Sequence, residues 1–360
     1  MADNSASVPQ KISAVLSAVV LIGTLSVGAV GSLIGGGWHQ DIAQTVPMRT
    51  ELLSLHHRIA LSVGKESIGS VYITQERMFR QHLSYDTDAV TRSVNAVNAY
   101  AVRQNVPVYW VMVPTAAGIY ADTLSEYAPR ASEQAMLLAA AAQLNEYVTP
   151  IDVYHWLYAM RDAYIYYRTD ERWTTFGAFC AYKTVIRKLG FANIGYDRFT
   201  IEHAVNEYYG SFAKETLYDG VKADVVDLYH CENETPITKL LAMDTNGNTT
   251  TPDSLYQRSL LSDPEMARTA AYELFLAETT PILQIKTAVN NTKELLVLTD
   301  SYGACMIPFL TQHYSGLTVV NLSLTHDMDW QAKIDHTHSQ ILVISSADTL
   351  ADAEGFSALR

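Results

Sequence analysis

The sequence is poor in charge, in cysteine and in basic residues. Charged side chains make up 18% of its 360 residues and hydrophobic ones 48%. A disordered chain needs the opposite balance, so disorder is excluded. Three cysteines, Cys180, Cys231 and Cys305, are too few for a small disulfide scaffold. They stand apart, with no CxxC pair and no His/Cys ligand spacing, and read as packed thiols. Lys and Arg number 25 against 38 acids, a net charge of −13. Nucleic-acid binders usually carry a basic footprint, so that class is excluded as well. A mean hydropathy of +0.01 argues against a polytopic membrane protein. The GxSxG elbow is absent. Gly35-Gly36-Gly37 is not followed by Lys-Ser/Thr and reads as a linker, not a phosphate loop.

The apolar residues are unevenly spread. From Ile12 to Ile34 no side chain is charged, which as a helix crosses ~30 Å of hydrocarbon. Signal-peptide cores are shorter. Residues 12–34 are therefore expected to be an uncleaved membrane anchor, with a cleaved signal, ending near Val27-Gly28-Ala29, as the alternative. Either way the remaining chain is exported. The expected order is a tail (1–11), the anchor (12–34), a linker and juxtamembrane helix (35–69), a folded domain (70–350) and a tail (351–360).

Within the domain, strand-like and helix-like stretches alternate. Val106–Val113, Ala163–Arg168, Glu294–Thr299, Leu317–Leu322 and Gln340–Ser345 read as strands. Ala131–Tyr147 and Thr175–Leu189 read as helices, the latter capped by Gly190. Residues from about 205 to 290 read as an irregular insertion. This alternation predicts a three-layer α/β fold around a mainly parallel sheet. Ligands of such sheets bind beyond the carboxyl ends of the strands. The residues there are Thr115, Asp170–Trp173, Asp300, Ser301, Tyr302, Asn321, Ser323 and His326.

Ser301 is the candidate nucleophile, at a strand-to-helix junction. An Asp-Ser pair there is equally an ordinary helix cap. Asp170 and Thr174 also precede a helix and suit its start. His155 lies on an apolar helical pattern and reads as packed. Asp335-x-x-His338 precedes a strand, which puts it at the sheet edge opposite Ser301. His56-His57 and the His336/His338 pair lack a third ligand at defined spacing. Neither a metal nor a cofactor is expected.

Four segments, taken in order, resemble the DHHW-type family of the SGNH-hydrolase-like group. They are VYWVMVPTAAGIYADTL, YYRTDERWTTFGAF, YYGSFAKETLYDGVKADVVDLY and LTDSYGACMIPFL. The family includes relatives that O-acetylate exopolysaccharides such as alginate. The resemblance implies an SGNH-like, flavodoxin-like fold. It implies a serine nucleophile at Ser301, a triad acid at Asp170 and a histidine base two residues later. Here that position is Arg172. A guanidinium, with a pKa of about 12.5–13.8, cannot accept the serine proton. Asn321 and Ser323 also stand where the family often has Asp and Arg.

Two readings remain open. One is a cell-envelope protein that binds acylated carbohydrate, or a protein partner, with an impaired triad. The other is an active serine esterase or O-acetyltransferase with a substitute base, Arg172 then binding an anion or helping to stabilise an oxyanion. Thr115, Trp173, Asp300, Tyr302, Asn321 and His326 are expected to line the cleft in both.

Overall fold

The computed structural model describes residues 49–80, 82–124, 128 and 131–359. The predicted anchor at 12–34 lies outside the described residues. Among the described residues, no helix is long and apolar enough to cross a membrane. The chain divides into two units, residues 1–59 and 60–360. Described residues of the first unit belong to helix α1, Arg49–Ser62, where the His56 and His57 rings lie 5.7 Å apart.

The second unit opens with three short antiparallel strands: β1 (Ser67–Ile68), β2 (Val71–Ile73) and β3 (Met78–Arg80). Helix α2 (Thr87–Val102) follows, its first amides capped by the Asp86 side chain. Then come β4 (Val108–Val113), helix α3 (Glu133–Ala141), β5 (Val148–Ile151) and helix α4 (Thr175–Lys188). Strands β6 (Phe199–Tyr208) and β7 (Asp224–Cys231) form a separate hairpin with helix α5 (Ser211–Thr216) between them. Strands β8 (Ile237–Met243) and β9 (Thr249–Thr250), helix α6 (Leu276–Thr279) and strand β10 (Ile282–Thr287) precede the last three strands. Those are β11 (Glu294–Thr299), β12 (Gly316–Asn321) and β13 (Gln340–Ser346).

The central sheet has eight strands in the order β5-β4-β13-β11-β12-β10-β8-β9. The first five are parallel, and β10, β8 and β9 add an antiparallel flank. The stretch expected as an insertion thus supplies edge strands of the main sheet as well as the hairpin. Strand alternation divides the core between two faces. Leu295, Val297, Leu342 and Ile344 pack with Phe179, Tyr182 and Val185 of α4. Leu296, Leu298, Ile341 and Val343 pack with Val90, Val94 and Val97 of α2. Each such aliphatic side chain contributes about 1.5–3 kcal/mol by leaving water.

Two expectations need correction. Ala163–Arg168 is not a strand. It folds back on residues 172–174, with the Tyr167 amide donating to the Arg172 carbonyl and the Thr174 amide to the Ile165 carbonyl. Its aromatic and β-branched side chains are buried because the loop is, not because it joins a sheet. The place beside β4 is taken by Val148–Ile151, where Pro150 is tolerated at the edge of the sheet. The expected tail is also packed: Phe356 and Leu359 are buried in the α2 face of the core.

Helix α4 ends as read. The Gly190 φ is +91°, the Phe191 amide donates to the Ile186 carbonyl and the Gly190 amide to Arg187, a Schellman closure. Near its start, Gly177 has a different role. A Cβ there would fall well inside contact distance of the Ile165 carbonyl oxygen. Gly→Ala in a helix ordinarily gains ~1 kcal/mol. Gly177→Ala is expected to lose about 1–3 kcal/mol instead, read as a lower urea midpoint with an unchanged slope.

Candidate active site

The carboxyl ends of β4, β13, β11 and β12 lie side by side, with Ser346 opposite Val113 and Thr299 opposite both Ile344 and Asn321. Residues that follow these strands share one edge of the sheet. Two straps complete it: the loop 163–174 and helix α6.

The loop is held from outside by Asp224, fully buried on β7. Its carboxylate accepts from the Tyr164 hydroxyl (2.5 Å), the Arg168 amide (2.7 Å) and the Thr169 amide and hydroxyl (2.8 and 2.5 Å). Burial pushes its pKa up, opposed by these donors. The loop is held from inside by Asp170, also fully buried. Asp170 accepts from the Tyr208 hydroxyl (2.7 Å), the Ser211 amide (2.9 Å) and the Arg172 amide (3.0 Å). Gly210 permits this approach, since a Cβ there would collide with the Asp170 side chain.

Arg172 occupies the position expected of a base. Its Nε donates to Asp170 Oδ1 at 2.7 Å and its Nη2 to Asp170 Oδ2 at 3.0 Å. Its Nη1 donates to Glu278 Oε1 of α6 at 2.7 Å. The guanidinium lies over the Tyr272 ring, 4.1 Å from its centroid. Burial alone would raise the Asp170 pKa, but Arg172, Ser211 and Tyr208 hold it at about 2. Glu278 is pushed up to about 8 by burial against the pull of Arg172, with the Asp170 charge adding to the rise. Its Oε2 is buried without a hydrogen-bond partner among the described residues. The unit is thus a shared cation between one firmly ionised carboxylate and one that favours its proton. Three of the guanidinium nitrogens are engaged, so Arg172 is a cross-brace, not the free anion site expected of it.

Ser301 is half-buried and begins a turn at Ser301–Met306. Its carbonyl accepts from the Tyr272 hydroxyl at 3.0 Å. No described residue hydrogen-bonds the Ser301 hydroxyl, and Arg172 has its donors on the two carboxylates. Asp300 is a cap: it accepts from the Tyr302 amide (2.9 Å), the Ser346 amide and the Thr349 hydroxyl (both 2.7 Å). It therefore pins the start of the turn to the end of β13. Trp173 is buried and donates to the Tyr302 carbonyl at 2.7 Å, while the Tyr302 hydroxyl donates to the Glu171 carbonyl. These two bonds tie the serine turn to the Asp170 loop.

Other expected cleft residues have structural tasks. Thr115 is buried and binds the Glu133 carboxylate through its amide and hydroxyl, both at 2.7 Å. Asn321 is buried and donates to the carbonyls of Ala277 (3.2 Å) and Glu278 (3.1 Å), fixing α6. The Ser323 amide donates to Asn321 Oδ1. His326 is exposed, its Nδ1 2.9 Å from Ser357 Oγ, and does not contact Ser301, Asp170 or Arg172. His155 is exposed, not packed, and pairs with Asp152 at 2.6 Å. The 335–338 segment lies at the other end of the sheet, where Thr337 bonds Glu294 at the start of β11. No His/Cys/Asp/Glu group among the described residues could hold a metal ion.

Sequence reasoning missed Glu278, Tyr272 and Tyr208. Tyr208 opens the family-like middle segment, and a glutamate inside the apolar run LFLAET was the available signal for Glu278.

Glu278 has a pH signature. Its folded pKa lies above the unfolded value, so its contribution to stability is present below about pH 4 and is lost as pH rises through about 8. Glu278→Gln keeps an acceptor for Arg172 and removes this titration. In urea unfolding at pH 5, 7 and 9 the parent should weaken relative to the variant as pH rises, and parallel curves would contradict it.

The DHHW protein family model matches residues 57–320. A DHHW family protein from Eubacterium siraeum has the same fold, with TM-score 0.66 and 22% identity over 79% of this chain and 93% of that one. Bacillus cereus PatB1 superposes with TM-score 0.67 and 21% identity over 79% and 98% of the two chains. PatB1 carrying a sulfonyl adduct gives TM-score 0.66 and 18% identity over 79% and 97%. No curated protein matches the chain. The structures share the fold. The family match runs from α1 through β12 and includes the Asp170, Arg172 and Ser301 positions, and on it the chain belongs to the DHHW protein family.

Proposed function

We propose that this chain is a catalytically silent DHHW protein that binds acylated carbohydrate at the Ser301 edge of its sheet. The reading places it outside the cytoplasm, held to the membrane by residues 12–34. One observation carries it: Arg172 stands at the base position, bound to Asp170 on one side and Glu278 on the other. A serine hydroxyl needs a base near neutral pH to become a nucleophile. Arg172 cannot serve, and its contacts leave it no freedom to move aside. The SGNH-like frame and the family's carbohydrate-acylating relatives support the ligand class. So does the half-buried Ser301 just after β11.

A second reading rests on Glu278. Its Oε2 is unpartnered, its proton affinity is raised, and α6 packs against the serine turn. An esterase using Ser301 with Glu278 as base would gain activity as pH rises through about 8.

The test is acetyl release from a chromogenic acetate ester. The parent is expected to be inactive and unlabelled by a serine-directed phosphonate. Arg172→His, made alone and with Glu278→Gln so that no carboxylate is left without its cation, should restore hydrolysis. A positioned general base contributes about 10²–10⁴-fold. Parent activity that is abolished by Ser301→Ala would overturn the silent reading. If Glu278→Gln also abolishes it, Glu278 is the base.

A further inference from the structure

We propose that a second site, separate from Ser301, binds the carboxylate or phosphate groups of an anionic saccharide. The site is a cleft of about 940 Å3 between the β2–β3 turn, the segment after β4 and the outer side of the 163–168 loop. This volume lies within the range of small-ligand clefts, about 300–1,000 Å3. None of Ser301, Asp170, Arg172 or Glu278 lines it.

Its charge departs from that of the chain. Arg77, Arg161, Arg168 and Lys222 line the cleft, against the carboxylates of Glu76 and Asp162. The whole chain carries −13, so this surplus of cations is a local exception.

The guanidinium groups are also held in place. Arg77 stacks on Tyr120 at 3.9 Å, Arg168 on Tyr164 at 4.3 Å and Arg161 on Tyr158 at 4.1 Å. Stacking on an aromatic face fixes the plane of a guanidinium and leaves its edge free to donate. A planar edge of this kind matches the two oxygens of a carboxylate or phosphate. The partners inside the protein are incomplete. Arg168 reaches Asp224 only at 3.8 Å, and Arg161 reaches Asp122 only at 4.0 Å while donating one bond from Nη1 to the Tyr158 carbonyl at 3.1 Å. Arg77 Nη1 and the Tyr120 hydroxyl are buried close to each other and make no hydrogen bond of ordinary geometry among the described residues. The N–H groups of Arg77, Arg161 and Arg168 that line the cleft are the donors a ligand oxyanion would use. Lys222 is exposed at the rim, without an ion-pair partner among the described residues.

The anion half of this inference stands on the cleft alone. The saccharide half rests on the function proposed above. The two halves are tested separately by titration calorimetry on the full-length chain. The probes are inorganic phosphate, an oligogalacturonate and a neutral gluco-oligosaccharide of the same length. Binding of the oligogalacturonate, weakened by salt, is expected, with little or none of the neutral oligomer. Phosphate binding alone would keep the anion site and overturn its saccharide assignment, whatever the ester assay shows for Ser301. Lys222→Glu and Arg77→Gln should each weaken acid binding by about tenfold or more. Lys239→Glu, an equal charge change on the exposed side of β8, should leave it within about twofold. Thermal melts report whether Arg77→Gln still folds, and Lys222, being exposed, decides the matter if it does not. The proposal is overturned if neither anion binds, or if Lys239→Glu and Lys222→Glu weaken binding equally.

Discussion

A buried cation has to be neutralised, and the Arg172 guanidinium imposes that requirement on everything around it. Asp170, two residues away, supplies the balancing charge, and Glu278, more than a hundred residues away, accepts a further hydrogen bond while favouring its proton. An isolated buried charge of this kind would cost several kcal/mol. The contact with Glu278 therefore fixes α6 against the 163–174 loop, and Asn321 clamps α6 from the end of β12. Tyr272, under the same guanidinium, carries the constraint to the Ser301 carbonyl. The serine turn, the loop and the antiparallel flank of the sheet thus converge on one side chain.

Asp170 has structural bonds that are independent of any catalytic role. Asp170 accepts from Tyr208 and the Ser211 amide as well as from Arg172. Those bonds join the loop to β6 and α5, and they do not depend on what stands at position 172. Asp170 thus serves the fold whatever its part in chemistry. Asp300 is similar: the serine's neighbour is held by its cap and by two bonds to the β13 end. Neither acid is evidence of turnover. A neutral imidazole would need only one carboxylate. With a permanent cation, Asp170⁻ and Arg172⁺ already balance, and the second acid, Glu278, is left favouring its proton.

Much of the fold was legible because the parallel strands are continuous apolar runs bounded by turn residues. ELLVLT and QILVIS could be little else. AYIYYR failed by the same rule. Its composition reports burial, and burial there comes from being wedged between the sheet edge and the hairpin, with its hydrogen bonds supplied by Asp224. VTPI was hidden by its proline, which only an edge strand accepts. In the candidate site, the resemblance singled out Ser301, Asp170 and Arg172; the structure pairs the last two and sets Ser301 just after β11. Glu278 was not legible. Its partner is distant in sequence, and nothing local distinguishes it from a surface glutamate on a short helix. Asn321 and Thr115 were placed correctly at strand ends but misread in role, since position at the sheet edge does not reveal that their polar atoms are consumed by α6 and Glu133.

The distribution of cations is the last consequence of the acidic composition. With 25 basic residues against 38 acids, most guanidinium groups find carboxylates nearby, as Arg80 does with Glu215 and Arg258 with Glu202. Arg172 is the buried extreme, with its donors on two acids. Arg77, Arg161 and Arg168 are arranged differently: each leans on a tyrosine face, and the nearest acids of the latter two lie at the outer limit of ion pairing. A protein with a surplus of acids has no need to leave guanidinium edges facing an open cleft for stability alone. Stacking also restricts the side-chain entropy that a long cation would otherwise retain. The structure therefore separates two uses of arginine along one loop. Its inner side, at Arg172, serves the fold by bridging Asp170 and Glu278. Its outer side, at Arg168, leaves cationic edges facing a cleft, so one loop has Arg172 and its two acids on one side and the proposed anion site on the other.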